Sequence, residues 1–240
     1  MKKGIVSSTE AVYKYTGYPN YDKNRDFTAI CLASANCLGD IPQCSACQFV
    51  NIQDNKTLEG YIFPDTYRIY ADATVDEILA KILRNFKDKV GPEIVNGVRN
   101  LNPDGTGTRE YINFDSVVIM ASVLEKEART PSDMAMVADI FWRRAKSGWA
   151  LQSCATVNYI TGKNDPGVTN KDRAIDSLYN TYLYPGLPIG PISNPGLDAF
   201  HAAMFPQKNN YWYFMTGKDG QMHYARTLEE HNANVARYLR

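Results

Sequence analysis

A capping box and the apolar positions that follow it predict the first helix. Thr74 and Glu77 have the spacing at which a threonine hydroxyl accepts from the third amide of a helix. Apolar residues then recur every three or four positions over residues 75–90. Gly91 and Pro92 come next, and such a pair is typical of a helix end. The pattern therefore predicts one amphipathic helix that stops before Gly91.

The second predicted helix lacks a polar face. Residues 117–124 follow Asp115, which is expected to cap the helix, and they are apolar nearly all round. A helix of this kind must be buried on most sides. Thr130 and Pro131 predict the start of the next helix, which is expected to stop at Gly148. Two helices should therefore meet at a sharp corner.

The rest of the chain adds short elements. Residues 58–70 combine β-forming residues with an internal Pro64, which predicts short strands around a bend. Residues 211–215 and 221–224 flank a glycine-containing turn and predict a β-hairpin. The remaining predictions are an exposed loop over residues 100–113, a short helix from Asn194 through Met204, and a C-terminal helix that begins at Thr227. Together these elements predict an α+β fold.

Composition and charge exclude several classes of protein. Of the 240 residues, 44% are hydrophobic and 22% are charged, which excludes disorder, collagen and a coiled coil. The 26 basic side chains equal the 26 acidic ones, so the chain has no net positive charge with which to attract nucleic acid. No stretch approaches the roughly 20 apolar residues of a membrane helix. We therefore expect neither a nucleic-acid partner nor a membrane span.

Cysteine usage divides the chain into two parts. Four cysteines cluster near the N-terminus: Cys31, Cys37, Cys44 and Cys47. In an exported protein they would form two disulfides, whereas in a cytosolic protein a zinc site would explain them better. Cys154 stands alone and is predicted to be unpaired. We therefore divide the chain into an N-terminal segment over residues 1–57 and a domain over residues 58–240.

Glu125 is the carboxylate that the pattern best places for chemistry. It shares a helix face with Val118 and Ser122, so its carboxyl group emerges at the end of an apolar column, where burial should raise its pKa. Glu127 lies about 200° further around the helix. The two glutamates therefore cannot face each other across a bond, as the paired carboxylates of common glycosidases do.

Other residues offer alternatives to a catalytic Glu125. It could simply form an ion pair with Arg129, one helical turn on. Glu59 and Asp65 are candidates for a second carboxylate, although no spacing selects either. His201, His223 and His231 lack the spacing of a metal site, and the chain has no nucleophile elbow, phosphate loop or dinucleotide motif. We predict no metal in the catalytic domain and no cofactor.

A cluster of amide and hydroxyl groups downstream could form a sugar-binding groove. Residues 151–157 and 179–182 place these groups among aromatic rings, as hydrogen bonding and stacking to a sugar require. The candidates are Gln152, Ser153, Thr156, Asn180, Thr181 and Tyr182. Buried and mutually satisfied polar residues would produce the same pattern. The Gly- and Pro-rich stretch over residues 186–196 could shape a site or turn a corner.

Five of these segments occur together, and in this order, in one known family. The chain resembles the endolytic murein transglycosylase family of bacterial cell walls (MltG, or YceG-like) in LEGYIFPDTY at 58–67, ASVLEKEA at 121–128, LQS-x-x-TV at 151–157, YNTYLYPGLPIGPISNPG at 179–196 and H-Y-x-x-TLEEHN at 223–232. The resemblance runs from about Leu58 to Arg240 and implies a YceG-like catalytic domain. Residues 1–57 would then be a partial LysM-like module or a cysteine-stapled segment.

The resemblance also implies an activity. The family cleaves the β-1,4 bond between N-acetylmuramic acid and N-acetylglucosamine within a glycan strand, without water, and leaves a 1,6-anhydro-N-acetylmuramic acid end. The first glutamate of its E-K-E motif falls on Glu125, which would protonate the leaving oxygen and then, as base, assist attack by the substrate's own C6 hydroxyl. No metal or cofactor is implied.

The resemblance further implies partners and a location. The implied partners are peptidoglycan glycan strands and peptidoglycan synthases (penicillin-binding proteins). The implied location is the extracytoplasmic face of the bacterial cell membrane, which favours disulfides in the N-terminal segment. Full-length relatives carry a single membrane anchor, which we expect this chain to lack.

One departure from the family pattern motivates an alternative function. Cys154 and Ala155 stand where the family commonly has Asp and Pro. The chain could therefore be a non-catalytic peptidoglycan-binding or scaffold module of the cell-wall synthesis machinery. A further alternative is a zinc-dependent binding protein that uses the four clustered cysteines.

Overall fold

The computed structural model describes residues 58–101, 114–163 and 167–239. The N-terminal segment, with its four clustered cysteines and predicted LysM-like module, lies outside these residues, as do residues 102–113 of the predicted loop. The described elements are helices and one small two-stranded sheet. This agrees with the predicted α+β class.

The described part of the chain contains seven helices and two strands. The helices are α1 (Val75–Leu101), α2 (Phe114–Glu127), α3 (Pro131–Lys146), α4 (Cys154–Thr161), α5 (Asn170–Arg173), α6 (Leu197–Met204) and α7 (Leu228–Tyr238). The strands are β1 (Tyr213–Thr216) and β2 (Met222–Ala225), which pair antiparallel with Tyr213 opposite Ala225. No described helix combines the length and apolar character needed to cross a membrane.

The core forms around α2, as its apolar pattern predicts. Nearly every residue of α2 from Ser116 to Leu124 is buried, and the helix packs against α1, α3, α4 and α6. The short helix α6 packs in turn against α1, α2 and α3. Phe200 of α6 meets Phe86 of α1 edge-on, with ring centroids 5.6 Å apart. A helix without a polar face is thus covered on all sides by other helices.

Several predicted boundaries are confirmed. Glu77 N–H donates to Thr74 Oγ1 at 3.3 Å, and Thr74 N–H donates to Glu77 Oε2 at 2.8 Å, which completes the capping box of α1. Thr130 caps α3 by accepting from the Asp133 amide. The hairpin and the short helix α6 also form where they are predicted. Local side-chain signals therefore determine these elements.

The predicted end of α1 at Gly91 is wrong. The helix continues through this pair of residues to Leu101. Proline removes one intrahelical hydrogen bond and normally forces the preceding residue out of the helical region, because the proline ring clashes with that residue's Cβ. Gly91 has no Cβ, which removes one part of this clash, and the helix continues despite the missing hydrogen bond.

Asp115 is also not the cap of α2. The helix begins one residue earlier, at Phe114, so Asp115 lies in the first turn. Its carboxylate accepts a hydrogen bond from the Tyr61 hydroxyl at 3.2 Å. A negative charge in the first turn still favours the helix through its dipole.

The strands predicted over residues 58–70 do not form. Residues 59–62 make turns and a bend, and the residues that follow are irregular. Instead of joining a sheet, the amides of Gly60 and Ile62 both donate to Asn194 Oδ1, at 2.8 and 3.1 Å. Gly60 has a φ of +87°, which side-chain-bearing residues rarely adopt. A single distant side chain therefore replaces the partner strand that the β-forming residues suggested.

We expect Gly60→Ala to destabilise the domain strongly. A Cβ at this position would lie 2.7 Å from Pro191 Cγ and 2.8 Å from Val118 Cγ1. Left-handed strain of about 1–2 kcal/mol would add to an overpacking cost of about 1–3 kcal/mol. Urea unfolding should therefore show a loss of about 2–5 kcal/mol in the free energy of unfolding.

Gly148→Ala is the matched control. Gly148 has a φ of +69°, but nothing lies within 4 Å of a Cβ there. This variant should lose only the backbone strain, about 1–2 kcal/mol. Equal losses in the two variants would show that the close approach at Gly60 has no energetic importance.

Candidate active site at the end of the buried helix

Glu125 lies at the C-terminal end of α2 and is half-buried. Its Oε2 accepts a hydrogen bond at 3.1 Å from the amide of Gly196, the N-cap residue of α6. Within the described residues, no ion pair within 4 Å joins Glu125 to Arg129. The structure thus favours a carboxylate fixed against the Gly- and Pro-rich loop over the alternative in which it only solubilises the helix end.

Ser122 holds the same loop one turn earlier on α2. Its hydroxyl donates to the Ile119 carbonyl at 2.7 Å and accepts from the Ile192 amide at 3.0 Å. The Ser193 hydroxyl donates to the Ser122 carbonyl at 2.9 Å. Ser122 and Glu125 therefore share a face, as predicted, and the loop over residues 190–196 runs along that face. The Gly- and Pro-rich stretch shapes the surroundings of Glu125.

Glu127 faces a different segment of the chain. Its carboxylate accepts hydrogen bonds from the Ser153 hydroxyl and from the amide of Ala155, in the first turn of α4. Burial raises the pKa of Glu127 above its ordinary value, although these two hydrogen bonds and the positive charge of Arg144 offset part of the rise. Glu125 and Glu127 thus point to separate partners, as the helical spacing predicts.

Arg144 connects this region to the hairpin. Its guanidinium is buried and donates to the Leu151 carbonyl at 2.6 Å and, through Nε, to the Trp212 carbonyl at 3.1 Å. The electrostatic attraction between Arg144 and Glu127 adds a charge pair to these bonds. Arginine suits this position because its planar group can donate to several acceptors at once.

Four of the six predicted groove residues are buried: Ser153, Thr156, Asn180 and Thr181. Thr181 Oγ1 lies 2.9 Å from Thr156 Oγ1 and accepts from the Ser153 amide at 3.1 Å. Asn180 Nδ2 donates to two backbone carbonyls earlier in its own loop, at 3.0 and 2.8 Å. The fold brings these side chains together beneath the surface, where they form hydrogen bonds with one another and with the backbone.

The other two predicted groove residues reach the surface. Gln152 is exposed and has a φ of +55°, the only positive φ of a described residue other than glycine. Tyr182 is half-buried, with its hydroxyl 3.1 Å from Cys154 Sγ and the Arg173 guanidinium 4.9 Å from its ring centroid. Burial and, secondarily, the hydrogen bond with Cys154 raise the pKa of Tyr182. A strained, exposed glutamine is typical of a functional position.

The two candidates for a second carboxylate behave differently. Asp65 forms an ion pair with Lys89 at 2.9 Å, and the hydrogen bonds from Lys89, Thr66 and Asn85 lower its pKa to about 2. Burial raises the pKa of Glu59, and the positive charge of Lys126 partly offsets this. Glu59 is therefore near the E-K-E end of α2, whereas Asp65 belongs to a surface ion pair.

The histidines do not gather into a metal site. Among the described residues, no group of three or more His, Cys, Asp or Glu side chains is arranged to hold a metal ion. His223 pairs with Asp219 at 2.9 Å, and His231 stacks on Tyr213 with ring centroids 5.6 Å apart. The four clustered cysteines lie outside the described residues, so the zinc alternative stays a prediction.

Sequence reasoning missed two contacts of the candidate site. The Gly196 amide leaves no trace in side-chain patterns, since any residue but proline supplies an amide. The role of Glu127 had a visible clue, because a second glutamate at the end of an apolar helix must either reach solvent or find donors. Its partners, Ser153 and Ala155, become apparent only once α2 and α4 pack together.

Comparison with known proteins identifies the family of this chain. A model of the YceG-like family matches residues 6–237, and the chain belongs to that family. A crystal structure of a YceG-like protein from Listeria monocytogenes matches with a TM-score of 0.70 and 27% identity, covering 94% of this chain and 66% of that one.

Curated relatives carry a more specific name. The endolytic murein transglycosylase of Bacillus subtilis is 34% identical over 183 residues, which is 76% of this chain and 48% of that protein. The protein of the same name from Streptococcus pneumoniae serotype 2 is 29% identical over 188 residues, or 76% of this chain and 32% of that protein. The chain therefore spans about half the length of the first relative and about a third of the second.

We expect Ser122→Ala to loosen the loop that carries Gly196. The change removes the acceptor of the buried Ile192 amide, and an unsatisfied buried amide costs about 1–3 kcal/mol. Urea unfolding should show a loss of this size in the free energy of unfolding. Ser132→Ala, at an exposed position of α3, is the control and should change stability by less than about 0.5 kcal/mol. Equal stability of the two variants would contradict this account of Ser122.

Proposed function

We propose that this domain is a lytic transglycosylase that acts on the glycan strands of peptidoglycan. Its membership of the YceG-like family and the name shared by its curated relatives support this class of activity. The observation that carries the proposal is the position of Glu125, which is fixed by the Gly196 amide at the point where the buried helix α2 meets the loop over residues 190–196. A proton donor must be held in place in this way to act on one bond.

The proposed reaction cleaves the β-1,4 bond between N-acetylmuramic acid and N-acetylglucosamine. The Glu125 carboxyl group gives its proton to the bridging oxygen, which leaves with the electron pair of the C1–O bond as the C4 hydroxyl of N-acetylglucosamine. The C6 hydroxyl of the muramic acid then bonds to C1, and its proton passes to the Glu125 carboxylate. The product is a 1,6-anhydro end, and the enzyme returns to its starting state.

This mechanism uses one carboxylate, which suits the geometry around α2. Glu127 is bonded to Ser153 and Ala155 on another side of the helix, so it is not available to act across the same bond as Glu125. The substrate's own hydroxyl replaces water as nucleophile, and holding it near C1 gives it a high effective concentration. A site that excludes water favours this outcome over hydrolysis.

We further propose that the six groove residues act at two levels. Gln152 and Tyr182, which reach the surface, would contact the sugar. Ser153, Thr156, Asn180 and Thr181 would shape the groove through their mutual hydrogen bonds, because their side chains are buried. The partners would be peptidoglycan glycan strands and peptidoglycan synthases at the extracytoplasmic face of the bacterial membrane.

A second candidate function is a glycan-binding or scaffold module without turnover. Cys154 motivates it, because the family commonly has an acidic residue at this position. The Cys154 sulfur is hydrogen-bonded to the Tyr182 hydroxyl. Such a module would keep the exposed Gln152 and the hydrogen bond between Ser153 and Thr181 beneath it. Both candidate functions predict binding of glycan strands, so analysis of the cleavage products distinguishes them and a measurement of affinity does not.

We expect Glu125→Gln to lower the rate of glycan cleavage at least about 10²-fold, because general acid–base catalysis contributes about 10²–10⁴-fold. Purified chain and purified peptidoglycan should be incubated, and anhydro-ended products measured by mass spectrometry. Glu229→Gln, which changes an exposed carboxylate of α7, should cleave like the wild type. Circular dichroism should show the same fold in all three proteins.

Three outcomes would overturn parts of this proposal. Full activity of Glu125→Gln would remove Glu125 from the mechanism. Reducing ends that carry an oxygen from water would identify a muramidase. Binding of glycan strands with no cleavage by the wild type at any pH would support the binding module instead.

Substitutions at Gln152 should separate its side chain from its backbone. Gln152→Ala and Gln152→Gly both remove the amide, so both should weaken binding of glycan strands to the inactive Glu125→Gln chain. Only the glycine variant relieves the strain of a φ of +55°, and it should be more stable than the alanine variant by about 0.5–1 kcal/mol. Sedimentation with glycan strands and urea unfolding provide the two measurements. Unchanged glycan binding in both variants would show that Gln152 does not contact the substrate.

A further inference from the structure

Glu127 has no part in the proton transfer proposed above, yet its carboxylate is hydrogen-bonded to another segment of the chain. Its carboxylate receives the Ser153 hydroxyl and the Ala155 amide at the start of α4. Ser153 is the N-cap residue of α4, but its side chain makes no cap bond to that helix and turns to Glu127 instead. Glu127 therefore accepts from hydrogen-bond donors at the start of α4. The helix dipole also favours a negative charge at this end of a helix.

The residue just before this contact is Gln152, and its two neighbours in sequence are both anchored. Leu151 is held by its carbonyl, which accepts from Arg144 at 2.6 Å. Ser153 is held by Glu127 through its side chain. A residue at a φ of +55° remains there only when the surrounding structure fixes it, since the conformation costs about 1–3 kcal/mol. Thr181 holds the backbone directly, because its carbonyl accepts from the Gln152 amide at 2.9 Å and its hydroxyl accepts from the Ser153 amide at 3.1 Å. Glu127 and Arg144 add to that constraint from the two sides.

We propose that Glu127 is a positioning residue, which together with Arg144 holds Gln152 in the conformation that binds the glycan strand. The proposal rests on the function proposed above, because it assumes that Gln152 contacts the glycan. Glu127 acts through hydrogen bonds to Ser153 and Ala155 and transfers no proton. α2 then carries the proton donor on one side and the support for the substrate loop on another.

The electrostatic surroundings agree with a retained role for this carboxylate. Arg144 faces Glu127 from α3, and Tyr182 faces it from the loop before α6. Burial raises the pKa of Glu127 despite the opposite charge of Arg144, so an ionised group is unfavourable at this position. A carboxylate kept in unfavourable surroundings is more typical of functional sites than of cores.

Two substitutions distinguish hydrogen bonding from charge. Glu127→Met removes both hydrogen bonds while keeping a side chain of similar length. Glu127→Gln removes the charge but can keep both bonds, because its carbonyl oxygen can accept from the Ala155 amide and its amide group can donate to the Ser153 hydroxyl. Glu229→Met, on the exposed face of α7, controls for the change in composition.

The first measurement is the affinity of the full chain for purified glycan strands, in the inactive Glu125→Gln background. Glu127→Met should weaken binding at least about tenfold, because Gln152 loses its fixed position. Glu127→Gln should stay within about threefold of the parent, as should Glu229→Met. In the active background, the pH profile of cleavage should be the same for Glu127→Gln and the wild type.

Ser153→Ala keeps the proposal testable where Glu127→Met fails to fold. It removes one of the two bonds from the side of the loop, and it should weaken glycan binding by about three- to tenfold. Combined with Glu127→Met it should add little, because the two residues act through the same contact.

Specific results would overturn the proposal. Parent-like glycan binding by both Glu127→Met and Ser153→Ala would show that the contact does not position the groove. Loss of cleavage in Glu127→Gln as complete as in Glu125→Gln would make Glu127 a proton-transfer group. A wild type that binds glycan without cleaving it contradicts the transglycosylase proposal alone, and the binding comparison still tests Glu127. A wild type that does not bind glycan overturns both.

Discussion

The burial of α2 on every side is the constraint from which the candidate site follows. From Ser116 to Leu124 nearly all of this helix is buried against its neighbours, and at its C-terminal end Glu125 and Glu127 are half-buried, so the polar groups on these faces are satisfied by neighbouring segments. Ser122 finds the loop over residues 190–196, Glu125 finds the start of α6, and Glu127 finds the start of α4. The same packing that satisfies these groups therefore brings two distant parts of the chain, the segment over residues 190–196 and the start of α4, to one end of one helix.

Much of the fold could be predicted because it depends on local patterns. The apolar run of α2, the cap at Thr130 and the hairpin are each determined by residues within one element. The shared face of Ser122 and Glu125 follows from the helical period alone. The roles of individual groove residues could not be predicted, since a buried threonine such as Thr181 and a surface tyrosine such as Tyr182 occupy the same short polar segment.

The incorrect predictions have a common physical origin in contacts that a local pattern does not contain. The β-forming residues of 58–70 were expected to pair as strands, but Asn194, more than a hundred positions away, accepts their amides. Gly91 and Pro92 are typical of a helix end, whereas α1 continues through both residues to Leu101. The acceptor of a backbone amide can lie far away in the sequence, so a local pattern does not predict it.

The spacing of the E-K-E motif explains how one helix end can serve two purposes. Two positions along a helix correspond to about 200° of rotation, so the two carboxylates cannot compete for one loop. A spacing of four would place both on one face, where their like charges would repel each other and both would face the loop that carries Gly196. With the observed spacing, Lys126 stays exposed between them, and its positive charge reaches Glu59. The proposed proton donor and the proposed support for its substrate are then both set by the position of one helix, so that a shift of α2 moves both together.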